Sequence, residues 1–149
     1  MDNANNDNAR PNAATTHRGS CHCGAIRFEV EIDLGQGATR CNCSICTKLG
    51  PLSINVAPQA LRSLTPEAAL SSYEWGGKVA RRYFCNVCGV YTFSRGELAE
   101  LGGAFASINL NTLDDIDPAL VPVRYWDGRH DNWQAGLRDA PWPIVAAAA

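Results

Sequence analysis

The 149-residue sequence lacks a basic excess. Its 13 Lys and Arg are outnumbered by 15 Asp and Glu, for a formal charge of -2 and a pI near 5.9. A protein that grips nucleic acid through phosphates carries surplus positive charge, so nucleic acid is not an expected partner. No apolar run approaches the roughly 20 residues that cross a bilayer, and a membrane is not expected either. The start, Met1 to Asn12, is Asn-rich and has no apolar h-region, so it reads as a tail rather than a secretory signal. Heptads are missing, helix signals are weak, and nothing repeats except pairs of cysteines.

What is present is enough apolar material, 46% of residues, for a sizeable core, at a length typical of one domain. The expected division is a disordered N-terminal tail over 1–15, a single domain over 16–145 and a frayed end over 146–149. Between the tails lie short strand-like segments. Ala25 to Ile32 alternates polar and apolar residues, the strongest such signal. Ser53 to Ala57 is stopped by Pro58. Leu70 to Trp75 and Lys78 to Cys85 flank Gly76-Gly77, which reads as a hairpin turn. Gly89 to Ser94, Ala104 to Leu110 and Val121 to Trp126 complete the set. Thr112 is placed to cap a short turn over Leu113 to Ile116, and Asp131 to Leu137 has room for one or two turns. The sum is a mainly β domain.

The seven cysteines fall in three tight groups: Cys21-His22-Cys23, Cys41-Asn42-Cys43-Ser44-Ile45-Cys46, and Cys85-Asn86-Val87-Cys88. Gaps of one and two residues suit a tetrahedral soft metal better than disulfides, which an odd count and strained Cys-x-Cys bridges also disfavour. Free thiols that bind metal fit a reducing, cytoplasmic location. Seven ligands divide as four plus three. Cys41, Cys43 and Cys46 lie within six residues, so one loop supplies all three. Cys21, Cys23, Cys85 and Cys88 then form a closed set, each pair followed by a glycine, Gly24 or Gly89, that permits positive φ and lets backbone N–H groups approach sulfur. A closed zinc site uses four protein ligands; a catalytic one uses three and keeps a position open. The competing reading makes both sites structural, with His22 or another group as an eighth ligand. His17 and His130 read as surface or hydrogen-bonded residues.

At these residues the chain resembles the glutathione-dependent formaldehyde-activating enzyme (GFA) family. The resemblance rests on Gly19-Ser20-Cys21-His22-Cys23-Gly24-Ala25-Ile26-Arg27-Phe28, on Cys41 to Lys48, and on Arg82-Tyr83-Phe84-Cys85-Asn86-Val87-Cys88-Gly89. It extends to Tyr125-Trp126-Asp127-Gly128-Arg129-His130-Asp131-Asn132-Trp133 and Pro141-Trp142-Pro143-Ile144, and so covers about Thr16 to Val145. It implies a β-tent fold of packed antiparallel sheets and two zinc ions per chain. Cys21, Cys23, Cys85 and Cys88 would hold the structural ion, and Cys41, Cys43 and Cys46 the catalytic one. It also implies a carbon–sulfur lyase-like enzyme acting on adducts of glutathione, or another thiol, with an aldehyde. The eponymous reaction makes S-hydroxymethylglutathione from formaldehyde and glutathione. One departure is Asn42, where family members often have His; it spares the ligands and alters their surroundings.

The partners expected on this reading are a small thiol and an aldehyde. A thiol at the open position would attack, or release, the aldehyde carbon. Lys48 is a candidate to offset the negative charge of a three-thiolate site. Arg81 and Arg82 are candidates for glutathione carboxylates, and since strand neighbours face opposite ways at most one serves. Trp75, Trp126, Trp133 and Trp142 read as core or lid aromatics. A non-catalytic zinc-binding β-tent module that docks a protein is the alternative, followed by a methionine sulfoxide reductase. A fourth protein ligand on the Cys41/Cys43/Cys46 set would favour the module.

Overall fold

The computed structural model describes residues 14–145. Most of the expected N-terminal tail, and all of the 146–149 end, lie outside these residues. The described elements are β1 (Thr15–Ser20), β2 (Arg27–Ile32), β3 (Ala38–Cys41), α1 (Ser44–Leu49), β4 (Ser53–Val56), β5 (Leu61–Ser63), β6 (Leu70–Tyr73), β7 (Ala80–Cys85), β8 (Tyr91–Leu98), β9 (Gly103–Asn109) and β10 (Val123–Trp126), joined by short 3-10 turns. The protein is mainly β. Among the described residues the strands form a three-stranded sheet, β1-β2-β5, and a seven-stranded one, β10-β3-β4-β9-β8-β7-β6.

Alternation along β2 explains how the sheets meet. Phe28, Val30 and Ile32 are buried on one face of this strand, as side chains of period two require. Phe28 packs edge-on against Phe93 of β8 with ring centroids 5.3 Å apart. Burying one such aromatic contributes about 1.5–3 kcal/mol. The close approach fixes Gly19 of β1, opposite Phe28, since a Cβ there would sit 2.2 Å from the Phe28 ring. Ile54 of β4 and Ile108 of β9 are paired and buried in the same core.

The sheets are antiparallel with one exception: β10 runs parallel to β3, aligning Trp126 with Cys41. This departure from the expected antiparallel arrangement sets the chain after Trp126 beside the central cysteine group. Other differences have local causes. The first expected strand starts later, at Arg27, because Cys21 to Gly24 is spent on a turn closed by Gly24 N–H to Cys21 O at 3.2 Å. The hairpin is found, but with shorter strands and a wider turn in which Gly76 and Lys78 take positive φ. The chain does turn at Asp114 and Asp115, within the expected Leu113–Ile116 stretch, but Thr112 does not cap that turn. Thr112 Oγ1 donates back to Asn109 O at 2.7 Å, ending a 3-10 turn over Leu110–Thr112. Leu113 instead bridges to Gly19. β1, β3, β5 and α1 were not expected; α1 is only six residues long, with Cys43 at its N-cap and left-handed Gly50 at its C-cap.

Candidate metal centres

Two turns build the four-thiol cluster. Gly24 and Gly89, at φ 84° and 78°, reverse the chain after each cysteine pair. The reversals bring Cys21, Cys23, Cys85 and Cys88 together, with all four sulfurs within 4.8 Å of one another. Cys21 and Cys23 Sγ lie 3.7 Å apart, and Cys23 and Cys85 Sγ 3.6 Å. A tetrahedron with 2.3 Å metal–sulfur bonds separates its sulfurs by about 3.8 Å, so the donor set suits zinc. A disulfide, at about 2.05 Å, is far shorter. Backbone N–H groups already point at the sulfurs: Ile26 N–H to Cys21 at 3.2 Å, Val87 and Cys88 N–H to Cys85 at 3.3 and 3.4 Å. Hydrogen bonds from Val90 and then Cys23 outweigh burial and pull the Cys88 thiol to about 6. For Cys23 the Ala25 N–H pulls down, but burial and the neighbouring thiols push it up to about 11. His22 is exposed and does not join the cluster.

The three-thiol cluster is local. Cys41 ends β3, Cys43 caps α1 and Cys46 lies on its first turn. Their sulfurs also fall within 4.8 Å of one another, and no fourth Cys, His, Asp or Glu joins them among the described residues. Hydrogen bonds from Cys41 and Cys46 hold the Cys43 thiol well below its usual range. Bonding to Cys41 and Cys43, with burial behind it, pushes the Cys46 thiol far up, and Cys41 rises with its bond to Cys43. One thiolate forms at the expense of its neighbours, and three together call for a cation. The chemistry of the donor set therefore fits zinc here too.

The parallel β10–β3 pairing supplies this cluster's surroundings. A Cβ on Gly128 would lie 2.5 Å from Cys41 Sγ and 3.3 Å from Cys43 Cβ, so only glycine fits. Asn42 braces the cluster: its Nδ2 donates to buried Asp127 at 2.9 Å and to Trp142 O at 3.3 Å, and its Oδ1 accepts from Arg129 N–H at 2.9 Å. The Arg129 side chain donates to Asn42 O and Thr47 Oγ1. His130 spans Asp127 at 2.8 Å and Ile144 O at 3.1 Å. Burial acts to raise the Asp127 carboxyl, but hydrogen bonds from Asn42, His130 and Asn132 prevail and hold it below the usual carboxylate range.

Cavities flank α1. One of about 300 Å³ is lined by Cys41, Asn42, Thr47 and Arg40 with the Trp126 and Trp142 rings. The other, about 370 Å³, has Ile45 and Leu49 of α1 on one side and Arg82, Phe84 and Tyr91 on the other. Of the two candidate arginines only Arg82 lines it; Arg81 turns to Glu74 at 3.1 Å. Lys48 is exposed and lines neither cavity. No tryptophan is in the core: Trp75 and Trp133 are exposed, and Trp126 packs on Trp133 at 5.6 Å. His17 sits beside Asp115 at 3.1 Å. Sequence reasoning gave Asp127, Gly128 and Arg129 no role, although they stand in the Tyr125–Trp133 run that carried part of the resemblance.

The sequence profile described as glutathione-dependent formaldehyde-activating enzyme matches residues 16–127. A Halomonas elongata protein provisionally named as such an enzyme is 37% identical over 78 residues, 47% of this chain and 50% of the relative. The chain thus spans about half the length of that curated relative. A crystal structure of a Rhodobacter sphaeroides protein, solved as a structural genomics target, superposes with a TM-score of 0.64 at 31% identity. The match covers 73% of this chain and 99% of that one. No described helix is long and apolar enough to cross a membrane.

Proposed function

The chain belongs to the glutathione-dependent formaldehyde-activating enzyme family, and from that premise we propose that its three-thiol centre makes and breaks the carbon–sulfur bond of thiol–aldehyde adducts. Glutathione is the expected thiol and S-hydroxymethylglutathione the reference adduct, which makes the protein a zinc-dependent carbon–sulfur lyase of the cytoplasm. The observation that carries this reading is the contrast in donor number: four thiols at one site, three beside cavities at the other. An open set next to space for a ligand favours an enzyme over a closed, protein-docking module.

Cys41, Cys43 and Cys46 would hold the catalytic ion, and Cys21, Cys23, Cys85 and Cys88 the structural one. Bound at the open site, zinc would supply a position that favours the thiolate form of an incoming thiol. The chain's own residues do the rest. Asp127 and Asn42 fix the loop between Cys41 and Cys43, and the indoles of Trp126 and Trp142 wall the approach beside Cys41. The guanidinium of Arg129, bonded to the Asn42 carbonyl at 3.0 Å, sets a positive charge near the thiolates that Lys48 was expected to supply.

Elemental analysis of protein purified without added metal or chelator tests the donor count; two zinc ions per chain are expected. Exchange between ¹³C-formaldehyde and its glutathione adduct, followed by NMR, tests the reaction. Acceleration lost in Cys46→Ser, with one zinc retained, is expected. Two zinc ions in Cys46→Ser with undiminished exchange would sink the reading.

A further inference from the structure

The cavity on the Ile45 side of α1 is far larger than formaldehyde requires. At roughly 30 Å³ per water-sized group, a molecule of two heavy atoms fills about 60 Å³, against the cavity's 370 Å³. The walls are also the wrong kind for glutathione. Ile45, Leu49, Tyr73, Phe84 and Tyr91 present aliphatic and aromatic surface, on which a peptide with two carboxylates and an ammonium would leave polar groups unpaired. The polar side chains near the thiols, Asn42, Thr47 and Arg40, line the opposite cavity with Cys41.

A strand irregularity builds the apolar side. Pairing between β7 and β8 slips between Tyr83 and Phe84: Tyr83 aligns with Phe93, but Phe84 aligns with Tyr91. Thr92 is the extra residue, buried, with Oγ1 donating to Tyr83 O at 3.1 Å. Such a bulge re-aims side chains. Tyr83 and Phe93 pack together in the core, ring centroids 5.5 Å apart, while Phe84 and Tyr91 are delivered to the cavity. One cation accompanies them. Arg82 is half-buried and makes no ion pair or side-chain hydrogen bond among the described residues. Ile45, the chain neighbour of Cys46, lines this cavity, as Cys41 lines the other, so both cavities border the segment that carries the three thiols.

We propose that this cavity takes the carbonyl partner, and that the partner is an aromatic or branched aldehyde bearing a carboxylate that Arg82 holds. The proposal rests on the thiol–aldehyde reading and seats the bodies of its two reactants in the two cavities, their reacting atoms meeting at the three-thiol end of α1. The reaction stays balanced without an oxidant. The thiol's S–H bond breaks and its sulfur bonds to the aldehyde carbon. The carbonyl π pair passes to oxygen, which takes the thiol's proton. Cleavage is the reverse.

The test is calorimetric binding to the zinc-loaded protein, which needs no turnover. Three probes are titrated: 4-(methylthiomethyl)benzoate, its uncharged carboxamide and S-methylglutathione. The benzoate is expected to bind roughly 10- to 100-fold tighter than the carboxamide, the range of a charge-assisted hydrogen bond. Arg82→Gln is expected to erase that difference, Arg82→Lys to leave part of it, and Arg81→Gln to leave all of it. Circular dichroism and zinc content confirm that each variant is folded. Equal binding of benzoate and carboxamide to the wild type overturns the proposal, as does a preference that survives Arg82→Gln. If S-methylglutathione binds and the aryl probes do not, the inference fails and the thiol–aldehyde reading stands. If the benzoate binds in an Arg82-dependent way and S-methylglutathione does not bind, glutathione is the wrong thiol and the cavity assignment stands.

Discussion

The two thiol clusters hold similar chemistry in unlike scaffolding. The four-thiol cluster joins turns far apart in sequence, with Cys23 and Cys85 separated by 62 residues. Two of its members, Cys21 and Cys85, are 3% and 1% exposed and belong to the hydrophobic core. Backbone N–H groups brace it. The three-thiol cluster spans one strand end and one helical turn, is only half-buried, and is braced by side chains that arrive through β10. A metal in the first ties β1–β2 to β7–β8 and so supports the fold; a metal in the second orders a short segment beside space for a ligand. On the proposed function folding and chemistry are thereby separated, and each cluster is open to its own perturbation.

The largest expected effect is on stability. Cys85→Ser removes a buried ligand of the fold-closing set and is expected to cost at least about 3 kcal/mol, measured by urea unfolding. Cys46→Ser should cost less than about 1 kcal/mol while abolishing adduct exchange, because the surrounding turn stays pinned by Gly50 N–H to Cys46 O at 2.7 Å. Equal losses from the two variants would break the distinction. Next comes Gly128→Ala. The added methyl must push Cys41 Sγ away from 2.5 Å, so zinc affinity at the open site should drop about 100-fold, at the upper end of what disturbed surroundings cost a metal site. Chelator competition should show the four-thiol site unchanged.

The two thiol clusters were legible in the sequence because thiol spacing is a local property: Cys-x-Cys and Cys-x-x-Cys limit where sulfurs can go. Strands with clean alternation, such as β2, were legible for the same reason. What escaped depends on contacts distant in sequence. α1 was missed because six residues carry no helical period and its N-cap is a cysteine, not Ser or Asp. The sequence places Gly128 87 residues from Cys41, and only the parallel β10–β3 pairing makes them neighbours. The choice of Arg82 over Arg81 followed from strand alternation only in part. That one faces a cavity and the other Glu74 is set by the sheet. Of the tryptophans read as core or lid, none is in the core, and Trp126 and Trp142 line a cavity; the sequence left the two readings open because the packing of the C-terminal segment, where Trp142 stacks under Arg138 at 3.9 Å, depends on contacts distant in sequence.

Two smaller effects sharpen the view of the open cluster as one braced by side chains. Asn42→Ala removes the amide that ties Asp127, the Trp142 carbonyl and Arg129 N–H together. It should weaken zinc at the open site about tenfold and leave the four-thiol site alone. A loss at both sites in chelator competition would mean that the bracing is global.

Acid provides the finest test, through Asp127. Its folded carboxyl titrates below the usual range because Asn42, His130 and Asn132 hydrogen-bond the ionised form against the pull of burial. A depressed pKa means that the unfolded chain binds the proton more readily. The resulting stabilisation is complete above the unfolded value, near 4, and vanishes as pH falls through the folded one. Thiolates also take up protons in acid, so wild type alone is ambiguous. Asp127→Asn removes this one titration and keeps the thiols. The stability difference between the two proteins, from urea unfolding, should therefore stay flat from pH 7 to about 4.5 and shrink below that. A difference that instead grows toward low pH would show that the carboxyl is raised in the folded state. Burial, rather than its hydrogen bonds to Asn42, His130 and Asn132, would then govern the brace.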